Sequence, residues 1–300
     1  MKIDVFRLHR LHRLHRLCLL ALILFFVVTG PGTAGAGLKV SPGAFCLQNA
    51  KIGENLDLGI DMVITNKDDE EKVFVIKILK PSEADDEWVK GYSEIPDVNW
   101  FYLDENEIKI GPNSEAKLGM YLKIPDEEKY CNQHWMVYAK VTTKAEKEEM
   151  FKTAIKPCYM IETKAKADIK EKPYGVLGLV PGTLEVRDVA PGKKKKVTFR
   201  IYNNDSVIHT YGIASYIPGL SSAKLDINLT AGYEWIKKER WVSPVERKIK
   251  LKPGEIKDIT LKVVIPKGSK CADEGWESIV MVKPDKGLEG FVRVLIEPSE

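Results

Sequence analysis

Cys131 and His134 stand three residues apart in YCNQHW, a spacing that would supply half of a zinc site if Cys46 or Cys158 completed it. A second copy of the same stretch argues against a metal. Residues 118–135, LGMYLKIPDEEKYCNQHW, return 141 positions later as ITLKVVIPKGSKCADEGW, where Trp276 persists, Cys271 stands one place before the counterpart of Cys131, and Gly275 replaces the histidine. Acidic runs in SEADDEW (82–88) and IPDEEKY (124–130) hold enough carboxylates for a glycosidase pair. Lying between short strands, they read instead as solvated loops. Beyond residue 36 the histidines are His134 and His209, at inequivalent places in the two copies, and neither has the nucleophile and orienting group of a catalytic triad beside it. The chain contains no glycine-rich phosphate loop, HExxH or Gly-x-Ser-x-Gly pattern. The sequence therefore assigns no catalytic, cofactor-binding or metal-binding residue and predicts a non-enzyme.

The N-terminus fixes the compartment in which the remaining cysteines must be read. MKIDVFRLHRLHRLHR is basic, LCLLALILFFVVTG is apolar but short for a membrane span, and PGTAGAG is rich in small residues. That order predicts a secretory signal peptide over residues 1–36, cleaved near Ala34 to Gly37, with membrane attachment only if it stays uncleaved. Removing Lys2, Arg7, Arg10, Arg13, Arg16 and Asp4 with it leaves 41 of 46 basic and 42 of 43 acidic residues. A mature chain this close to neutrality lacks the footprint of a nucleic-acid binder. Export to the periplasm, cell surface or medium makes disulfides the expectation for Cys46, Cys131, Cys158 and Cys271. Cys46 with Cys131 is the favoured pair, Cys131 with Cys158 follows, and Cys271 is left open.

The elements that would position these residues come from the duplication. Gly91-Tyr92 returns as Gly232-Tyr233, Trp100 as Trp241, Pro125 as Pro266 and Trp135 as Trp276, while Pro42-Gly43 returns as Pro181-Gly182. Within each copy the apolar period is two: Leu118, Met120, Leu122 and Ile124 in one, Ile259, Leu261, Val263 and Ile265 in the other. Further strands are predicted over Leu56 to Ile64, Val197 to Ile201, Lys72 to Leu79, Ile108 to Ile110, Trp135 to Val141 and Phe151 to Ile155, with Asn- and Asp-rich turns at TNKDD and NNDS. The predicted fold is all-β: two tandem antiparallel Ig-like β-sandwiches, over 37–158 and 176–300, joined by a linker at 159–175. The tryptophans that recur in register are expected in the cores.

This order of strands, Asn turn, tryptophan, short I-K-I/L strand and alternating strand ending in Ile-Pro resembles bacterial and archaeal Ig-like domains of cell-surface proteins. It is also similar to the pilus-chaperone N-terminal domain and to WxL-interacting surface proteins. FKTAI (151–155) departs from the long apolar donor strand of a chaperone, and the last residues, FVRVLIEPSE, depart from the membrane helix of a WxL-interacting protein. The resemblance implies a binding or structural protein of the cell surface or periplasm that recognises a protein or envelope polymer through loops or strand edges. Alternatives are an assembly chaperone or accessory protein for a surface fibre, and a carbohydrate-binding or hydrolytic protein. Candidate exposed contacts are Trp88, Trp235 and the basic run Lys193, Lys194, Lys195 and Lys196.

Overall fold

A computed structural model describes residues 37–144, 154–219, 227–271 and 274–299. The signal-peptide segment and Phe151 lie outside them. The first sandwich contains β1 (Leu38–Ser41), β2 (Ala44–Ala50), β3 (Asn55–Asn66), β4 (Lys72–Leu79), β5 (Ser93–Glu94), β6 (Phe101–Leu103), β7 (Glu107–Ile110), β8 (Ser114–Lys123), β9 (His134–Thr143), β10 (Ala154–Ile155) and β11 (Cys158–Thr163). The second contains β12 (Leu177–Val180), β13 (Thr183–Val189), β14 (Lys194–Asn203), β15 (His209–Tyr216), β16 (Tyr233–Trp235), β17 (Val242–Pro244), β18 (Lys248–Leu251), β19 (Ile256–Val264), β20 (Gly275–Pro284) and β21 (Gly290–Pro298).

The smaller sheets run β1-β3-β8-β6 and β12-β14-β19-β17, and the larger ones β2-β11-β9-β4-β7 and β13-β21-β20-β15-β18. The two copies thus share one strand order. The sheets are not purely antiparallel, because β2 runs parallel to β11 and β13 parallel to β21. The repeated Pro-Gly marks the reason. At the cis peptides Ser41-Pro42 and Val180-Pro181 the chain leaves the smaller sheet and joins the edge of the larger one. One boundary moves as well. β11 belongs to the larger sheet through Thr163, so the first sandwich extends five residues past 158 into the expected linker.

The alternation in β8 does what its period requires: Leu118, Met120 and Leu122 are buried while their neighbours face outward. Trp135, Trp276 and Trp241 are buried in the cores, whereas Trp100 is half-buried against Tyr130 and Trp135. The two Asn turns are anchored alike. Asn66 Nδ2 donates to Glu70 O, Ile110 O and Gly111 O, and Asn203 Nδ2 donates to Val207 O and Leu251 O, so each buried amide ties its hairpin to the neighbouring loop.

The strands β9, β11, β20 and β21 do not alternate in burial; nearly every residue is covered. A strand reads this way when both faces of its sheet are packed. The inner faces fill the two sandwich cores. The outer faces contribute to a third apolar cluster that includes Tyr92, Met136, Tyr138 and Met160 from the first domain and Ile279, Met281 and Phe291 from the second. The larger sheets therefore pack against each other at the domain junction.

Candidate functional site at the domain junction

The junction is built around a buried cation. Arg293, from the middle of β21, is 2% exposed. Its Nε and Nη2 donate to the two carboxylate oxygens of Glu162 at 2.5 and 2.6 Å, a bidentate pair between the two sandwiches. Its Nη1 donates to Glu277 of β20 and to Asn228 O. Tyr92 OH donates to Glu162 at 2.5 Å and Thr230 N to Glu277 at 2.8 Å. Each charge has hydrogen-bond partners, the condition for keeping ions away from water.

The two carboxylates respond in opposite senses. Burial works against the Glu162 anion, but the Arg293 hydrogen bonds and charge outweigh it and hold that carboxyl below its usual range. At Glu277 burial dominates and lifts the carboxyl above its usual value despite Arg293. Burial also raises the Tyr92 phenol and the Cys46 thiol. His134 stacks on Phe291 with ring centroids 3.9 Å apart and planes 2° from parallel, and burial lowers its pKa to about 4, leaving a neutral imidazole. Close approach of the domains requires a glycine at position 91. A Cβ there would meet Phe291 Cδ1 at 2.5 Å, and the backbone sits at φ 89°, in glycine's territory.

Beside this weld lies a cleft of ≈ 260 Å³, floored by Asn132, Gln133 and His134. Its walls carry large apolar side chains that face water: Trp88 (37% exposed), Tyr174 (40%), Val176 (50%) and Leu288 (40%). The linker supplies Tyr174, and Val176 follows it immediately before β12. This stretch is held to the second sandwich by Asn204, whose N–H donates to Val176 O and whose Nδ2 donates to Pro173 O.

The sequence candidates are scattered relative to this site. Trp88 lines the cleft, its Nε1 donating to Tyr92 O at 2.7 Å. Trp235 is half-buried between the second core and the junction cluster. Lys193 precedes β14 and Lys194 to Lys196 begin it, roughly 30 Å along the strand from the end that meets the linker.

The structure records all four cysteines as thiols, and the strand register explains why the expected links do not form. Cys131 sits at the end of the sheet where Lys164 N meets Ala50 O. Cys46 is four residues up β2 from Ala50, about 13 Å away, and Cys158 is five residues up β11 from Thr163, about 17 Å away. Both spans exceed the roughly 7 Å Cα separation that a disulfide allows. Cys46 instead donates to Glu162 at 3.3 Å and Cys271 to Gly275 O at 3.0 Å. The C-x-x-H pair does not converge either: His134 faces Phe291, while Cys131 is in a turn near Lys166 and Glu128. Among the described residues no three metal-ligating side chains cluster. His209 lies elsewhere, its two ring nitrogens bonded to Asp205 at 2.9 Å and Asp285 at 3.0 Å.

Arg293, Glu162 and Glu277 escaped the sequence reading. Their signal was a single charge inside an otherwise apolar strand, in FVRVLI, CYMIET and WESIVMV. Such residues are rarely buried unless paired.

No family model matches the chain, and no curated protein sequence matches it. Similar solved structures include a protein of unknown function from Porphyromonas gingivalis W83, with 12% identity over 87% of this chain and 99% of that one at a TM-score of 0.33. The periplasmic chaperone SfaE shows 10% identity over 87% and 100% at 0.30. The E. coli chaperone DraB shows 10% over 87% and 96% at 0.28.

Proposed function

We propose that this is an exported, non-enzymatic binding protein that holds a protein partner at the junction of its two sandwiches, in an assembly-chaperone or accessory role at the cell envelope. The observation that carries this reading is the cleft. Four large apolar side chains stay exposed around one concavity, beside a junction fixed by a paired buried arginine. Domain interfaces favour ligand clefts, and exposed apolar groups gathered in one place mark interaction sites. An apolar cleft suits protein side chains better than a charged wall polymer.

The test is a photo-crosslinking amino acid placed at Leu288 in producing cells, with Lys194, far from the cleft, as the comparison position. Discrete protein adducts from position 288 and not from 194 are expected. Adducts equal at both positions, or none at 288, would overturn the reading, and glycan retention abolished by Trp88→Ala would replace it with a carbohydrate-binding role.

A further inference from the structure

Trp88 separates two concavities of opposite character. On one side is the apolar cleft. On the other is an open hollow of ≈ 530 Å³ lined by Pro81, Ser82, Asp85, Asp86, Glu87 and Trp88 itself. The hollow is a built feature. A one-turn helix, Pro81–Ala84, ends at Asp85 in the left-handed conformation (φ 49°), which swings the acidic residues outward. Tyr138 OH donates to Glu87 O, Lys156 Nζ donates to Ala84 O at 2.6 Å, and the Trp88 indole is tied to Tyr92 O.

The charge here is local, since the mature chain is close to neutral. Of the three carboxylates in the hollow, Asp86 has an ion-pair partner, Lys156 at 3.5 Å; Asp85 and Glu87 have none among the described residues. Glu94, which accepts from Ser82 N at 2.9 Å, and Glu289, which is paired with Lys283, add carboxylates to the lining of the cleft. An indole flanked by carboxylates attracts a cation on two counts, through the ring face and through direct charge.

We infer that the site takes a protein segment in which a lysine or arginine neighbours a large apolar side chain. The apolar side chain enters the cleft between Trp88 and Leu288, and the cation lies against Trp88 over the hollow. This rests on the protein-binding reading above and adds the chemistry of the partner. Each part has a separate signature: the apolar anchor is insensitive to salt, and the charged part weakens as salt screens the open hollow.

Three short synthetic peptides, alternating leucine with lysine, leucine with glutamate, and serine with lysine, can be titrated into the purified mature protein by calorimetry. The leucine–lysine peptide is expected to bind at least about tenfold more tightly than either other peptide, a difference of about 1.4 kcal/mol, and to weaken with salt. Asp85→Asn with Glu87→Gln, two exposed changes, should remove the salt-dependent part, and Leu288→Ser should weaken the salt-independent part. Equal binding of the leucine–glutamate peptide, or unchanged binding by the Asp85→Asn, Glu87→Gln protein, overturns the inference. If cross-links from position 288 persist in that case, the protein-binding reading stands; if they are absent, that reading falls by itself.

Discussion

Gly91-Tyr92 and Gly232-Tyr233 occupy the same place in the two sandwiches, and each tyrosine bonds a glutamate near the end of the last strand of its larger sheet. Tyr92 OH donates to Glu162 at 2.5 Å and Tyr233 OH to Glu297 at 3.1 Å. The surroundings differ. The Glu162 side chain is 4% exposed and meets Arg293 of the other domain in a bidentate pair. The Glu297 side chain is 33% exposed and has Arg187 at 3.6 Å, itself 65% exposed. A duplicated scaffold pair has thus become a domain weld in one copy and a surface contact in the other. Burial makes the difference, because the same charges interact far more strongly away from water.

The comparison can be broken most sharply at the arginines. Arg293→Met strands two buried carboxylates and should cost about 3–5 kcal/mol in urea unfolding, while Arg187→Met should cost less than about 1 kcal/mol. Similar losses would mean that the junction opens to water in solution. Removing the hydroxyls is gentler: Tyr92→Phe should cost about 1–3 kcal/mol and Tyr233→Phe about 1 kcal/mol or less, since only the first leaves a buried acceptor short of a donor.

The smallest and most diagnostic effect lies in pH. Burial raises the Glu277 carboxyl, so its stabilising contribution is fully present below the unfolded-state value and is lost as pH climbs through the raised folded value. Glu277→Gln stays neutral throughout. Its stability relative to the native protein should therefore rise across that window and then level off. Glu162 is lowered, so its contribution is present above the unfolded value and lost as pH falls through the folded one, and Glu162→Gln should fare worst at neutral pH. Unfolding midpoints across a pH series would separate the two carboxylates; parallel curves would show that Arg293 compensates both equally.

Much of the scaffold was legible because its causes are local. The alternation of Leu118, Met120 and Leu122, the Asn turns, and the paired Trp135 and Trp276 each reflect one strand or one hairpin. Trp88 could be flagged from the charge that follows it in a segment between strands, but nothing near it in sequence tells that Leu288 and Val176 come to line the same cleft. The cysteines misled because the expectation of export makes pairing plausible without fixing strand register, and register put Cys131 at the opposite end of the sheet from Cys46 and Cys158. The non-alternating strands β9 and β21 were ambiguous for a related reason: a run of apolar residues shows that both faces are covered without showing by what.

The sequence by itself determined two tandem sandwiches written from one repeated pattern, since period-two patterning and turn chemistry act over a few residues at a time. Only the tertiary structure decided that their larger sheets pack together, that Arg293 reaches Glu162 across 131 residues, and that Trp88 borders a cleft. Those contacts arise only once both domains have folded and docked, and no short-range pattern encodes that docking.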